Sequence, residues 1–236
     1  MVGIYHFLYS NNRANIRFMD KRKIKDLLYE QVAHIGKAVS SPKRLELLEI
    51  LAQGEKTVDA LAAEAGIDTK LASAHLKVLK AARLVEAQRD GRFIAYRLSG
   101  ADVSALWVNL RTVAEEHLVE LKLAMEQIFA APEKLDAETR HSLMDKARRG
   151  EVVVIDVRPS AEYATGHLPY ARSMPLDEIR QRIKELPADK DIVAYCRGPF
   201  CMMSAEAVTL LQEHGYRAQK IADGTPEWQA AGLPLA

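Results

Sequence analysis

Both cysteines of the chain lie in one short stretch, DIVAYCRGPFCMMSAEA, which spans residues 191–207. The apolar run DIVAY ends directly before Cys196, and a helical pattern begins after a short loop. A second apolar run, VVVI at residues 152–155, is also followed by a loop and then by a helical pattern. Strands that alternate with helices form parallel sheets, and ligands bind at the carboxyl ends of those strands. The pattern therefore predicts an α/β domain with a parallel sheet, and it places Cys196 at a ligand-binding edge.

The loop between the predicted strand and helix suits a reactive thiol. A tight loop of this kind directs backbone N–H groups toward its centre, and the dipole of the following helix adds positive potential. We therefore expect the pKa of the Cys196 thiol to be lowered, so that it acts as a nucleophile beside the charge of Arg197. A buried structural cysteine is the alternative, but it does not explain the Arg-Gly-Pro sequence and the second cysteine. The residues expected to shape the loop are Gly198, Pro199 and Phe200.

Residues 136–236 resemble a rhodanese domain, the sulfurtransferase fold. The resemblance rests on VVVIDVRPSAEYATGHLPYARSMPLDEI and on the closing segment DGTPEWQAAGLPL. It implies that Cys196 carries a persulfide, which accepts a sulfane sulfur from a donor and passes it to a thiol acceptor. Related domains that act on phosphate or arsenate have a loop one residue longer that ends in arginine. Met202 follows this loop instead, which favours sulfur over an arsenate-reductase-like activity. The resemblance also implies supporting roles for Asp156, Arg158, Glu162 and His167.

Cys201 is not needed by a simple sulfurtransferase. A thiol at this distance along the chain is able to attack a persulfide on Cys196, which gives a disulfide or a bridged polysulfide and releases sulfide. The alternative is a small side chain that starts the helix. The sequence leaves both interpretations open.

The N-terminal half has a helical pattern from Ile24 to Val39, followed by three shorter helical patterns and a hairpin signal. Asp-Gly at residues 90–91, between two runs rich in Val, Ile, Phe and Tyr, is a strong hairpin signal. Three helices and a hairpin in this order predict a winged helix-turn-helix, so the fold class is a mainly α winged helix-turn-helix followed by an α/β domain. The three shorter patterns begin at Ser41-Pro42, at Thr57 and at Asp68 or Thr69, and the first two end at Gly54 and Gly66.

Residues 69–97 are locally basic, with seven Lys and Arg residues and two acidic residues, in a chain of formal net charge +1. A basic helix and hairpin are an electrostatic footprint for phosphates, although a solvated basic face is the alternative. We expect the third helix to enter the major groove of double-stranded DNA and the hairpin tip to reach the backbone or the minor groove. The candidate DNA-binding residues are Thr69, Lys70, Ser73, Ala74, His75 and Lys77 on the helix, with Arg89 and Arg92 at the tip.

Residues 24–130 resemble the ArsR/SmtB-type family of dimeric bacterial repressors, through SPKRLELLEIL and LASAHLKVLKAARLVEAQRDGRFIAYRL. The resemblance implies a homodimer formed by the first and last helices. The metal and arsenic sensors of the family place cysteines in the helix before the recognition helix, but TVDALAAEAG has none, and His117 lacks a second histidine. We therefore expect no metal and no cofactor. The apolar stripe expected at the dimer interface is Val103, Leu106, Trp107, Leu110, Val113, Leu121, Met125, Ile128 and Phe129.

The expected boundaries are an extension at residues 1–18 that is unstructured or results from a start upstream of Met19, a DNA-binding domain at 19–131, a linker at 132–140 and a rhodanese-like domain at 141–236. Two cysteines in 236 residues do not form a disulfide framework, which favours a reducing cytoplasm. No apolar run approaches the ~18 residues that span a bilayer, so no membrane partner is expected.

Three functions follow from this organisation. The preferred one is a dimeric DNA-binding repressor whose rhodanese domain carries or senses sulfane sulfur at Cys196. The second is an active thiosulfate or persulfide sulfurtransferase with an autoregulatory DNA-binding domain. The third is a rhodanese fold that binds an anion or a partner without turnover. In the first, coupling is expected to run through the last helix and the linker, the only covalent path between the domains.

Overall fold

The computed structural model describes residues 20–91, 93–128 and 137–236, so the expected extension at 1–18 lies outside it, as does Arg92. Its first part is the predicted winged helix-turn-helix. A three-stranded antiparallel sheet has the order β1-β3-β2, and Val85 of β2 lies opposite Leu98 of β3. The elements are α1 Lys21–Val39, α2 Pro42–Leu51, β1 Lys56–Thr57, α3 Val58–Glu64, α4 Thr69–Ala81, β2 Val85–Asp90, β3 Phe93–Leu98, α5 Ala101–His117 and α6 Val119–Ile128.

The caps of the helix-turn-helix follow from the sequence. Thr57 caps α3 by accepting a hydrogen bond from the N–H of Ala60 at 3.2 Å. Asp68, rather than Thr69, caps α4 by accepting from the N–H of Leu71 at 2.9 Å. Leu76 and Leu79 of α4 lie in the core that α4 shares with α2 and α3, so the opposite face of α4 is presented outward.

The second part is an α/β layer structure. Its four strands are parallel in the order β5-β4-β6-β7, which confirms the predicted fold class. Helices α9 and α10 pack on one face of the sheet, and α7 and α11 pack on the other. The elements are α7 Ala137–Arg148, β4 Val152–Asp156, α8 Ser160–Thr165, β5 Arg172–Ser173, α9 Ile179–Arg182 with a 3₁₀ turn on each side, β6 Asp191–Tyr195, α10 Met203–Glu213, β7 Ala218–Lys220 and α11 Thr225–Ala230.

Helix α7 begins inside the segment expected to be a linker. Leu143, Met144 and Ala147 pack on the core beneath β4, and Arg140 forms a 2.6 Å ion pair with Asp223. This part of the segment therefore packs with the α/β layer, while residues 129–136 lie outside the described chain. The expected domain boundaries stay predictions.

The predicted apolar stripe does not form one free face. Val103 is buried in the core of the winged-helix part, where Leu106 packs against it, and Trp107 is buried against the second domain. The dimer-interface prediction is therefore wrong for these three residues, since their contacts are made within the protomer. Leu110 and Val113 are exposed, whereas Phe129 and the side chain of Ile128 lie outside the described residues.

Within the described ranges, no helix is long and apolar enough to cross a membrane.

Candidate functional site

The cysteine loop connects β6 to α10 and lies between the two domains. Cys196 follows β6 directly and is 2% exposed. Gly198 has φ of 142°, and a Cβ there would lie 3.1 Å from the carboxylate of Glu227, so the tight turn requires glycine. A Cβ at Gly224 would lie 2.6 Å from the carbonyl oxygen of Cys196, so the loop also rests directly on the backbone before α11. Pro199 is buried within the turn, and the N–H of Cys201 closes it by donating to the carbonyl of Gly198 at 3.0 Å.

The Cys196 sulfur lies in a closed environment. It is 3.3 Å from the hydroxyl of Ser204, 3.6 Å from the carbonyl oxygen of Cys201 and 4.0 Å from that of Gly198. Burial and the hydrogen bond to Cys201 raise the pKa of the Cys196 thiol well above its ordinary value. The expected lowering of this pKa is therefore wrong, because loss of solvent and the hydrogen bond with Cys201 outweigh the hydrogen bonds from the side chain and the backbone N–H of Ser204.

The Cys201 sulfur accepts hydrogen bonds from two backbone N–H groups, whereas the Cys196 sulfur accepts one, from Ser204. The two N–H groups at Cys201 are those of Arg197 and Met203, and the Cys196 thiol donates to the same sulfur. These hydrogen bonds lower the pKa of Cys201 to about 7 in spite of partial burial. Lys220 on β7 lies within electrostatic range of both thiols, and its own pKa is lowered by burial. At neutral pH the protonated Cys196 therefore lies beside a partly ionised Cys201, and both cysteines are free.

Arg197 is held in an ion network that joins the domains. Its guanidinium pairs with Glu162 of α8 and, at 2.7 Å, with Glu64 of α3. Lys56 of β1 lies between the same two carboxylates, 2.8 Å from Glu64 and 2.9 Å from Glu162. Hydrogen bonds and charge from Arg197 and Lys56 lower the pKa of Glu162 against the effect of burial. Arg197 thus connects the cysteine loop to the first helix of the helix-turn-helix.

Asp156 and Arg158, to which the rhodanese resemblance gave supporting roles, lie at the carboxyl end of β4. Their side chains form a fully buried ion pair, in which Arg158 donates to both carboxylate oxygens. Arg158 also donates to Gln53 of the winged-helix part at 2.9 Å and to Thr225 at 3.2 Å. Gln53 is buried, and its amide nitrogen donates in turn to the carbonyl oxygen of Arg197 at 3.4 Å.

His167 lies away from the sulfur atoms. Its ring stacks on Tyr163 with centroids 3.7 Å apart, its Nδ1 faces the carbonyl of the same residue at 3.1 Å, and its backbone pairs with Ala236. These contacts are those of a packing histidine.

Helix α5 covers the outer side of the loop. The ring of Phe200 lies edge-on to Trp107 with centroids 6.1 Å apart, and the guanidinium of Arg111 lies 5.7 Å from the same ring. Arg111 also donates to Glu227 at 2.7 Å and to Glu115 at 3.1 Å, in a cluster that is almost entirely buried. Burial raises the pKa of Glu227 even with this partner.

Glu49 of α2 adds a further carboxylate to this cluster. Burial raises its pKa to about 7, where Arg111 acts to lower it and Glu227 and Cys201 act to raise it. Its Oε1 is buried without a hydrogen-bond partner among the described residues. This side of the interface therefore holds more carboxylates than the single guanidinium of Arg111 offsets.

Sequence reasoning missed the residues of the winged-helix part that complete the site. The only sequence signal for a contact of this kind was Arg111, a basic residue within an apolar stripe. It lies four positions after Trp107, so both residues share one helix face. The missed residues are Glu49, Gln53, Lys56, Glu64, Trp107 as a loop contact, and Arg111, with Ser204, Lys220 and Glu227 in the α/β layer.

The candidate DNA-binding residues lie apart from the cysteine loop. On α4, the side chains of Thr69, Lys70, Ala74 and Lys77 are exposed, and those of Ser73 and His75 are half-buried. Arg89 is exposed near the hairpin tip and donates to the carbonyl of Gly91 at 3.2 Å. The described residues contain no cluster of His, Cys, Asp and Glu suited to a metal ion.

Comparisons with known proteins match both parts of the chain. A family model described as "Bacterial regulatory protein, arsR family" matches residues 41–87, and one described as "Rhodanese-like domain" matches residues 139–231. The HTH-type transcriptional regulator Rv0324 of Mycobacterium tuberculosis is 43% identical over 211 residues, which cover 89% of this chain and 92% of that protein. A sulfurtransferase of Allochromatium vinosum is 36% identical over 86 residues, 36% of this chain and 78% of that protein.

Among solved structures, a homodimeric winged helix-turn-helix DNA-binding domain from Mycobacterium bovis is 43% identical. The match covers 43% of this chain and 93% of that domain, with a TM-score of 0.40. Since the match to the M. tuberculosis regulator extends over nearly all of both chains, the chain belongs to the ArsR-type family of helix-turn-helix transcriptional regulators, with a rhodanese-like domain following its DNA-binding domain.

Proposed function

We propose that this DNA-binding regulator acts as a homodimer whose affinity for operator DNA responds to sulfane sulfur taken up at Cys196. The single observation that carries the proposal is the position of the cysteine loop, whose backbone and side chains are contacted by Gln53, Glu64 and Trp107 of the winged-helix part. A sulfur reaction in this loop takes place at the domain interface. The path between the domains is therefore a direct packed contact, in addition to the covalent path expected from the sequence.

Addition of a sulfur atom to Cys196 requires the loop to move. The sulfur is already within 3.3–3.6 Å of the Ser204 hydroxyl and the Cys201 carbonyl. Close-packed interiors accommodate extra atoms only by shifting side chains and backbone. Behind Gly198 stands Glu227, which Arg111 holds in place, so the loop has little freedom on that side. We therefore expect the loop to move toward the winged-helix part, where Arg197 contacts Gln53 and Glu64.

Movement at these bonds reaches the DNA-binding surface in one step. Glu64 lies at the end of α3, and α3 packs on α4 through a shared core that includes Leu61, Leu76 and Leu79. The outward face of α4 carries Lys70 and the other candidate DNA-binding residues. A shift of α3 therefore changes the orientation of the recognition helix. Two packed arrangements of one interface are a known basis for such coupling.

The homodimer uses an apolar face that the protomer leaves open. The exposed apolar side chains are Leu28, Tyr29 and Val32 of α1, Leu110 and Val113 of α5, Leu118, and Val119 and Leu123 of α6. Helices α1, α5 and α6 flank the winged-helix core, and the family resemblance assigns the dimer to the first and last helices. Exposed apolar side chains on these helices favour burial against a second copy. The free thiols that the sulfur chemistry needs fit the reducing cytoplasm expected from the sequence.

A sulfurtransferase that turns over without affecting DNA is the second candidate. The partial exposure and near-neutral pKa of Cys201 favour it, since a thiol acceptor can reach this sulfur. The two functions differ in one measurable property, the effect of sulfur loading on DNA affinity.

The test is anisotropy with an operator fragment before and after inorganic polysulfide, with intact mass measured on the same samples. Four forms are compared: wild type, Cys196→Ser, Gln53→Ala and Gln229→Ala, in which an exposed glutamine of α11 is changed. We expect the wild type and Gln229→Ala to gain sulfur and lose DNA, Cys196→Ser to keep DNA, and Gln53→Ala to gain sulfur with a smaller change in affinity. If the wild type gains sulfur while its DNA affinity stays unchanged, the proposed coupling is refuted and the sulfurtransferase function remains.

A further inference from the structure

We propose that Lys220 of β7 is the cation that balances negative charge on the sulfur at Cys196, in the thiolate and in the persulfide. The inference rests on the proposed sulfur function and adds a positioning residue to it. The sequence suggested Arg197 for this charge, whereas the structure points to a lysine on the neighbouring strand.

The charge of Arg197 is already balanced by carboxylates. Its guanidinium pairs with Glu162 and lies 2.7 Å from Glu64. Lys56 lies 2.8 Å from Glu64 and 2.9 Å from Glu162. The network therefore joins two cations to two anions, so it offers no net positive charge to an anion in the cysteine loop.

The register of the sheet places Lys220 on the same face as Cys196. Lys220 pairs with Ala194 of β6, and the N–H of Ile221 donates to the carbonyl of Ala194 at 3.1 Å. Successive side chains of a strand alternate between its two faces, so Lys220, Ala194 and Cys196 share one face. The core contacts agree, since Ala194, Cys196 and Ala218 belong to the cluster on the face that α10 covers. Lys220 therefore lies at the carboxyl edge of the sheet beside the cysteine loop.

The electrostatics of Lys220 support this placement. Its side chain is half-buried and burial lowers its pKa, while the negative charges that act to raise the pKa are those of Cys196 and Cys201. A buried anion is costly unless an opposite charge lies near it, and such a charge favours the ionised form. The other charged groups near the sulfurs are Arg197, within its balanced network, and Glu49 of α2.

Sulfur loading places an anion in this site. The Cys196 thiol attacks the outer sulfur of a low-molecular-weight persulfide, R–S–SH, a new S–S bond forms, and the S–S bond of the donor breaks with its electron pair on R–S⁻. The thiol proton passes to R–S⁻, so the products are R–SH and a Cys196 persulfide. A persulfide proton dissociates more readily than a thiol proton, and its loss to solvent leaves a charged sulfur beside the Ser204 hydroxyl and the Cys201 carbonyl. Lys220 supplies the opposite charge.

The experiment measures the pH at which the Cys196 persulfide ionises in the full-length protein. Wild type, Lys220→Met, Lys220→Arg and the control Gln219→Met are loaded with glutathione persulfide and freed of the donor. They are then reacted briefly with iodoacetamide at pH values between about 5 and 9. Trypsin cuts after Arg197, so Cys196 and Cys201 fall on separate peptides, and the mass of each peptide reports its own alkylated persulfide.

We expect Lys220→Met to raise the midpoint of the Cys196 profile by about 1 pH unit, because a nearby opposite charge shifts a pKa by this order. Methionine keeps most of the length of the lysine stem, so the packing beneath α10 is retained. Lys220→Arg restores the charge and is expected to restore the wild-type midpoint. Gln219 is exposed on the opposite face of β7, so Gln219→Met is expected to follow the wild type.

A wild-type midpoint in Lys220→Met would overturn the inference while the proposed function stands, and so would an equally raised midpoint in Lys220→Arg. If the wild type gains no sulfur at Cys196, the proposed function fails. The alkylation profile of the unmodified Cys196 thiol then tests the charge by itself. Lys220→Met is expected to raise that midpoint as well, and an unchanged midpoint contradicts the role of Lys220.

Discussion

The start of helix α4 and the cysteine loop before α10 are both candidate sites at the start of a helix, but the first is open to solvent and the second is covered by the other domain. The first turns of α4 face outward, and their environment is set by residues within the same helix-turn-helix. The cysteine loop is covered by Gln53, Trp107 and Arg111, which come from the other domain. The comparison teaches that the chemistry of the loop belongs to the domain pair, whereas DNA contact belongs to one domain.

The largest effect is expected from Arg111→Met, which changes one of the residues that cover the cysteine loop. This change leaves the buried carboxylates of Glu115 and Glu227 without their guanidinium, although it keeps much of the side-chain volume. Removal of one partner from a buried ion pair costs about 3–5 kcal/mol of unfolding free energy. We expect a loss of this size in urea unfolding, together with faster alkylation of Cys196.

The matched control is Arg97→Met, which removes an arginine from the exposed pair with Glu86 on the hairpin. Exposed pairs contribute about 0–1 kcal/mol, so this variant is expected to unfold almost like the wild type. Equal losses in the two variants would show that the Arg111 cluster does not fasten the domains.

The second test uses the pH dependence of Glu49. Its folded pKa, about 7, lies above the unfolded value of 4.5, so the folded state binds the proton more tightly. Stability from this group is therefore complete at low pH and is lost as the pH rises toward and past 7, by up to about 3 kcal/mol. We expect Glu49→Gln to match the wild type near pH 4 and to be more stable at pH 8.

The measurement is best made in a Cys201→Ser background. The pKa of Cys201 is lowered from 9.0 to about 7, so its titration raises stability as the pH increases from about 7 to 9 and would offset part of the change at pH 8. The other charges around Glu49 are those of Arg111, Glu227 and Arg197. A Glu49→Gln protein that follows the wild-type pH curve would show that this carboxyl is hydrated rather than buried at the interface.

The elements of the fold could be predicted because each depends on local patterns. The strand VVVID is followed by helix α8, the Asp-Gly signal gives the hairpin, and Asp68 caps α4, all within a few residues of their causes. The apolar stripe predicted at the dimer interface lies on two helices, α5 and α6, which are divided at Leu118 with φ −100° and ψ 103°. The spacing of apolar residues is the same on both sides of Leu118, so it does not predict that this one residue is extended.

Only the part of the candidate site that lies within the α/β domain could be predicted from the sequence. The position of Cys196 after a strand, and the pairing of Asp156 with Arg158, follow from the segment itself and from the rhodanese resemblance. The pKa order of the two cysteines could not be predicted, since it depends on burial and on which sulfur the Arg197 and Met203 N–H groups face. Contacts such as Gln53 with Arg197 join residues far apart in the chain, and no local pattern encodes them.

The smallest effect is expected at the solvent-exposed site, the first turn of α4. Lys70 is exposed on the first turn of α4, in the absence of any cover from the second domain among the described residues. If it contacts a phosphate, Lys70→Ala weakens operator binding about equally for all sequences and reduces the slope of log affinity against log salt by about 1. Because Lys70 lies outside the interface, the affinity change on sulfur loading keeps its wild-type ratio. The control is Lys184→Ala, an exposed lysine of the α/β layer, which leaves the salt slope unchanged. An unchanged slope in Lys70→Ala would place the phosphate contacts elsewhere, whereas a lost sulfur response would mean that the open and covered sites are not separable.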